Sequence, residues 1–330
     1  MQVYFQKIYL TIFVYNQAMR ICLLTDETIE EYNPATYLQK YEWDLVTVET
    51  PVYDFVRDLV SRKQYDVYLN LFDGWDDDNS GIDLVKALEE FNVAFTGADS
   101  SSYEPTREQM QATAEANGIH FAKGFRARNE ADLIQAKNLT YPLIVKHPNS
   151  YASVGLIPES KVNSYEELKT QFARMTIDFE LARVEEFIEG GEVSCLVADS
   201  PDDLSAPYTY TPAQVIFPET ETFLHEELKW FNWDTHIVPL LNKDLLSDVQ
   251  ATSRKMYLAM NSKGYARIDL RVRPNNELVI LEINPNPGIL YYGQDHRSTT
   301  DLPISWDVDG HDGFLERIFR SAILRHKNKI

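Results

Sequence analysis

Asp269 and Glu282 are the residues whose types and spacing most directly suggest chemistry, because a hairpin can bring them face to face. Ala266, Ile268, Leu270 and Val272 alternate with Arg267, Asp269 and Arg271, the period of a strand with one apolar face. Two β-rich runs flank Pro274-Asn275-Asn276-Glu277, and Asn tolerates the positive φ angles that a two-residue loop requires. A turn at Asn275 and Asn276 sets Asp269 opposite Glu282 and Arg267 opposite Asn284, all four on one face of the sheet. Opposed β-carbons lie about 5 Å apart, so two carboxylates there repel unless a cation lies between them. Asp, Glu and Asn offer only hard oxygen ligands, which suit Mg²⁺ or Mn²⁺. The competing reading is a solvated hairpin whose acids pair with Arg267, Arg271 and Arg273. The segment Ile283-Asn284-Pro285-Asn286-Pro287-Gly288 favours a site, since its prolines and glycine stop the strand and turn the backbone just beyond Asn284.

The chain around this hairpin has 330 residues, 44% of them hydrophobic, enough for a sizeable core and two or three structural units. A formal net charge of -20 repels nucleic acid and anionic membranes, so the partners expected are small molecules, captured by local positive groups. Cys22 and Cys195 sit in apolar strand-like runs, which fits buried thiols in a reducing, cytoplasmic compartment. Residues 1–18 contain an apolar run too short to span a bilayer and read as a leader, an N-terminal extension or an upstream start. From Met19 to about residue 104, strands (20–24, 67–71) alternate with amphipathic helices (83–91), the pattern of an open parallel α/β sheet. The next unit, 105–188, opens with a helix at 106–117 stopped by Gly118, a helix at 129–137, and a capping box at Ser164-Tyr-Glu-Glu167. The last, 189–330, holds long strands, the hairpin and a closing helix at 314–324. The histidines show no ligand spacing, and no serine–histidine–acid arrangement supports a hydrolase.

Arg267-x-Asp269, then Leu281-Glu282-Ile283-Asn284, then Pro287-Gly288, resembles the catalytic signature of the ATP-grasp superfamily, most of all its D-alanine–D-alanine ligase branch. Tyr141-Pro-Leu-Ile-Val-Lys146, Ser153-Val-Gly155 and Val184-Glu-Glu-Phe-Ile188 with Glu192 resemble the branch's ATP-binding segments in order and spacing. The resemblance implies an N-terminal doubly wound domain followed by two α+β lobes enclosing a nucleotide. It also implies ATP with two Mg²⁺ ions as cofactors, and relatives that are often homodimers.

Carried over residue by residue, the resemblance makes Asp269, Glu282 and Asn284 the metal ligands and Arg267 the group facing the tetrahedral intermediate. Lys146, which in isolation reads equally as a snorkelling surface lysine, becomes a ligand of the α- and β-phosphates. Arg107 is either a second phosphate ligand or a plain first-turn helix residue. Glu185 is expected at the adenine amino group, backbone groups of Glu186, Phe187 and Ile188 at the ring edge, and Glu192 at the ribose. Lys229 is expected at the γ-phosphate and Ser153 in the loop over the phosphates. Phe223, Trp230, Phe231 and Trp233 read as a hydrophobic loop closing over the site. Ala152 and Trp230 stand where the branch usually has serine and tyrosine, and Thr25-Asp26-Glu27 lacks the branch's glycines, with Glu27 a stand-in for its glutamate. Gly288, Tyr291, Tyr292, Arg297 and Ser298 are expected to shape a substrate pocket of the chain's own. The activity implied is an ADP-forming carboxylate–amine ligation through an acyl phosphate. The alternatives are a glutathione-synthetase-like or carboxylase-like chemistry, or nucleotide binding without catalysis.

Overall fold

The computed structural model describes residues 19–30, 32–74, 79–149, 153–230, 235–291 and 298–328. The N-terminal sheet is formed by β1 (Arg20–Thr25), β2 (Glu42–Thr47) and β3 (Val67–Asn70), all parallel, in the order β2-β1-β3. Between them lie α1 (Val52–Arg62) and, after β3, α2 (Ser80–Glu90). The central strand is apolar on both faces because both are covered. Cys22 and Leu24 pack with Val56, Leu84 and Leu88 on the helix side, whereas Ile21 and Leu23 pack with Phe314, Ile318 and Phe319 from the far end of the chain.

α3 (Arg107–Ala116) begins with a reciprocal capping box between Thr106 and Gln109, and Gly118 follows it at φ 62. A four-stranded antiparallel sheet comes next, from β4 (Gly124–Ala127), β5 (Leu143–Lys146), β6 (Lys161–Val162) and, after α4 (Tyr165–Phe179), β7 (Ala182–Glu186), in the order β4-β7-β5-β6. Two local expectations change here. Residues 130–138 form a 3-10 helix rather than an α-helix. The box before α4 is only half made: Ser164 accepts from the Glu167 amide, while Glu167 reaches past it to the amide of Asn163.

The largest sheet contains β8 (Gly191–Ala198), β9 (Tyr208–Thr209), β10 (Ala213–Ile216), β11 (His236–Pro239), β12 (Tyr265–Val272) and β13 (Leu278–Asn284), with α5 (Glu226–Trp230) and α6 (Lys243–Ala259) interspersed. Its spine runs β11-β10-β8-β12-β13. Ala266, Ile268 and Leu270 face a core with Met110, Val249, Met256 and Ile280, which leaves Arg267, Asp269 and Arg271 on the other face. The chain closes with α7 (Asp301–Trp306) and α8 (Gly310–Asn328), longer than the helix expected at 314–324. Cys22 and Cys195 are buried free thiols, each pushed up to about 12 by burial. Among the described residues no helix is long and apolar enough to cross a membrane.

The β12–β13 turn differs from the two-residue loop that Asn275-Asn276 suggests. Arg273 pairs with Glu277, its amide donating to that carbonyl at 2.9 Å, and the Asn276 amide donates to Arg273 at 2.9 Å. Asn276 takes φ 65, so the loop is Pro274–Asn276. The ladder therefore starts one residue out of the expected register, with Val272 opposite Leu278 and Leu270 opposite Ile280. A bulge at Leu281 then absorbs the extra residue, and the pairs beyond it are Asp269 with Glu282 and Arg267 with Asn284.

Gly264, just before β12, has φ +72, and a β-carbon there would collide with the carbonyl oxygen of Gly97. Its amide donates to Asp199 at 2.8 Å, and Asp199 is also paired with Arg325 of α8. The start of the site-bearing strand is thus pressed against the N-terminal unit. Gly264→Ala is expected to destabilise the protein by about 3 kcal/mol, left-handed strain plus a clash with backbone. Urea unfolding checks this, and an unchanged midpoint would mean that the two backbones do not approach so closely.

Candidate active site

A cleft of about 820 Å³ lies between the four-stranded sheet and the polar face of the largest sheet. Its floor is Arg267, Asp269 and Arg271 of β12 with Glu282 and Asn284 of β13. Asp269 is nearly buried; it accepts from Ser194 at 2.6 Å and from Arg267 through Nε and Nη2 at 2.9 Å each. Burial works against its ionisation, but the Arg267 guanidinium outweighs that and holds the carboxyl below the usual carboxylate range. Glu282 is ion-paired with Arg107 of α3, which also donates to the Leu281 carbonyl at 3.1 Å.

This pairing corrects the sequence argument. The repulsion between the opposed carboxylates is met by two guanidiniums, one of them from a helix distant in the chain, so charge balance alone does not require a metal. Arg107, read from the sequence either as a phosphate ligand or as a first-turn helix residue, has its head group on the floor acid. Of the arginines that might have paired with these acids, Arg271 goes to Glu192 at 3.2 Å and Arg273 to Glu277 at 3.4 Å.

The facing wall carries a second buried network. Glu185, 1% exposed, is ion-paired with Lys146 and accepts from Arg183 at 2.9 Å. Arg183 also reaches Glu108 and Gln111 of α3, at 2.9 and 2.8 Å. Burial pushes Lys146 down to about 8, with Glu185 opposing and Arg107 adding to the shift. Glu185, expected at an adenine amino group, thus has its carboxylate committed to two cations. The amides of Glu186 and Phe187 donate to the carbonyls of Lys123 and Pro142, and the Ile188 carbonyl accepts from Arg271 at 3.1 Å. Nearby, Ile144, Leu156, Phe187 and Phe223 form an apolar patch in the same cleft.

Lys229 of α5 lines the cleft, pushed down to about 8 by burial first and by Arg267 second. Ser153, at φ 63, donates its hydroxyl to the Leu224 carbonyl at 3.0 Å, and the Gly155 amide donates to Glu226 at 2.9 Å. The segment after residue 152 is thereby tied to the segment that carries Lys229. Glu192, Gly288 and Ser298 line the cleft; Ser298 accepts from the amides of Thr300 and Asp301, both at 3.1 Å, and so caps α7. Glu27 is exposed and does not line the cleft; its amide and carbonyl bind Thr25 and Thr47 at the end of the N-terminal sheet. Tyr151, Ala152, Phe231, Trp233, Tyr292 and Arg297 lie outside the described residues, as does the side chain of Trp230.

Sequence reasoning missed Asp73, Tyr103, Glu104, Asn286 and Thr299, all of which line the cleft. Asp73 follows β3, and ligand groups of open α/β sheets gather beyond the carboxyl ends of strands, a signal that was available. Loss of water around its carboxyl, and then the negative charges of Asp26 and Glu104, push Asp73 up to about 6, although the residue as a whole is exposed. Among the described residues, no group of three or more His, Cys, Asp and Glu could hold a metal. The donors that fit a hard divalent ion are therefore two carboxylates and a carboxamide, Asp269, Glu282 and Asn284.

A family model described as D-ala D-ala ligase C-terminus matches residues 113–296, which include the cleft floor and the facing wall. The chain belongs to that family. The vancomycin B-type resistance protein VanB of Enterococcus faecalis is 29% identical over 175 residues, 52% of this chain and 49% of that protein. The D-alanine–D-alanine ligase of Haemophilus ducreyi is 25% identical over 246 residues, 73% of this chain and 76% of that one. The chain thus matches about half the length of the first relative and three quarters of the second. In three dimensions the D-alanine–D-alanine ligase of Bacillus anthracis complexed with ATP superposes with a TM-score of 0.69 at 18% identity, covering 96% of this chain and 100% of that one. The fold of this D-ala D-ala ligase family member is the ATP-grasp fold.

Glu185→Gln leaves Lys146 and Arg183 buried without their shared anion, and about 3–5 kcal/mol of stability should be lost. Denaturant unfolding measures it, and a loss under about 1 kcal/mol would show that water reaches the pair. The cleft cations also predict a pH window for anion binding. Lys146 and Lys229 hold their protons below about 8 and shed them above it. The thermal stabilisation given by tripolyphosphate at pH 7 should decline as pH is raised through 8 to 9. A decline centred between pH 6 and 7 would point to histidine instead.

Proposed function

We propose that the protein is an ATP-dependent, ADP-forming carboxylate–amine ligase that joins amino acids, or a related acid and amine, through an acyl phosphate. The observation that carries this reading is the floor of the cleft: Arg267, Asp269, Glu282 and Asn284 on paired strands, beneath Lys146 and Lys229, in a chain of this family. The relatives' names give D-alanine, and in one case D-lactate, as the units joined. A D-alanine-type substrate is accordingly the first to try.

Lys146 and Lys229 neutralise the phosphates, and the patch of Ile144, Leu156, Phe187 and Phe223 offers a slot for a flat base, with Glu192 at the ribose. Asp269, Glu282 and Asn284 would hold a Mg²⁺ ion, which would supply neutralisation of the phosphate charge. Arg267 keeps Asp269 ionised, and Arg107 pairs with Glu282. A substrate carboxylate oxygen attacks the γ-phosphorus and ADP leaves. The amine nitrogen of the second substrate then attacks the acyl carbon, the C–N bond forms, phosphate departs and the nitrogen gives up a proton. Arg267 stabilises the oxyanion between these events. Water must be kept from the acyl phosphate, and the bonds from Ser153 to Leu224 and from Gly155 to Glu226 let two segments close as one unit.

Asp269→Asn should lower ADP release by at least about 100-fold across a panel of D- and L-amino acids, with products identified by mass spectrometry. Wild-type-like turnover in that variant would sink the assignment. ATP binding without turnover on any acid, amine or bicarbonate would make the protein a binding module.

A further inference from the structure

The backbone of Leu290 and Tyr291 is held at all four of its polar groups by side chains from elsewhere. Their amides donate to the two carboxylate oxygens of Asp301 at 2.9 and 3.0 Å. Their carbonyls accept from the hydroxyls of Tyr32 and Tyr37, at 3.0 and 2.7 Å, both in the N-terminal unit. Asp301 is 4% exposed and lies 3.0 Å from His311, whose ring packs on Tyr37 at 4.9 Å between centroids. Leu290 sits at φ 62, a left-handed conformation in which a leucine is strained. Strain persists only where the surroundings over-determine it, and it concentrates at ligand clamps.

The clamp aims one side chain. Tyr291 folds back so that its hydroxyl stands where a β-carbon on residue 288 would be, which explains a glycine there. Tyr291, 52% exposed, lines the cleft with Asn286, Ser298 and Thr299. Arg267 and Asp73 are both near enough to act electrostatically on its phenol.

We propose that Tyr291 is a specificity-determining residue that limits the amino-acid side chain accepted next to Arg267 to a small one, and that Tyr37 and Asp301 are positioning residues holding it there. This rests on the ligase reading. The backbone that carries the ring is fixed, and the hydroxyl end of the ring stands against Gly288, so its removal enlarges the pocket.

The test compares wild type, Tyr291→Ala and Tyr37→Phe in ADP release with alanine, leucine and phenylalanine in D and L forms. Tyr291→Ala should raise kcat/KM for the bulky acids relative to alanine by about tenfold. Tyr37→Phe, which keeps the fold and loses one hydrogen bond, should move the same ratio by about threefold with the KM for ATP unchanged. Equal losses for all amino acids in both variants would reduce Tyr291 to a structural role and overturn the inference. If wild type releases ADP with none of the panel, the ligase reading fails separately. The inference is then decided by thermal shifts of wild type and Tyr291→Ala with the same panel plus a non-hydrolysable ATP analogue. A gain confined to bulky amino acids supports it, and the same profile in both proteins, including none in either, overturns it.

Discussion

Everything in the cleft depends on holding two carboxylates side by side on adjacent strands in a partly buried setting. Like charges at cross-strand distance repel strongly once water is thinned, and burying either one alone would push its proton back on. The protein resolves this by giving each acid its own guanidinium, Arg267 to Asp269 within one strand and Arg107 to Glu282 across the fold. The second solution has the wider consequence. Arg107 is the first residue of α3, while Glu108 beside it and Gln111 four residues on hold Arg183, which holds Glu185, which holds Lys146. One helical turn therefore fastens the floor of the cleft and its facing wall.

That arrangement explains why residues expected at a ligand are found bonded to each other. Glu185 and Lys146 lie on the facing wall and Arg107 at one end of the floor, each of them part of an ion pair. Buried pairs are costly to break and only weakly stabilising as pairs, so their value here is orientation. A polyanion entering the cleft meets ammonium groups whose positions are already determined.

How much could be read from the chain follows from the range of the interactions. The strand face bearing Arg267 and Asp269 was legible because alternation is a local property, and so was the pairing of Asp269 with Glu282. The turn was misread by one residue, since Asn276 in a left-handed conformation serves a three-residue loop as well as a two-residue one, and the Leu281 bulge that restores the register leaves no mark in residue type. Arg107 with Glu282, and Glu185 between Lys146 and Arg183, depend on contacts between elements far apart in sequence, which spacing cannot specify. The family resemblance offers Glu27, after the first strand, as a stand-in for a glutamate, whereas Asp73, which lines the cleft, follows the third strand.

The two ends of the cleft are consequently built in different ways. The end bearing the cations and the paired acids uses side chains of β5, β12 and β13 with Lys229 of α5, and the strand residues' directions follow from strand geometry and tolerate little change without loss of the sheet. The other end uses loop residues, Asp73, Asn286 and Tyr291, aimed by hydrogen bonds from two structural units and by one strained backbone angle. Loop residues can be exchanged while the sheets stay intact, so under the ligase reading proposed above substitutions at this end would alter what is accepted without disturbing how phosphate is held. Family membership constrains the floor more tightly than this end. On the same reading the Leu290–Tyr291 clamp, fixed by N-terminal tyrosines and a buried aspartate, sets the wall that a substrate would meet.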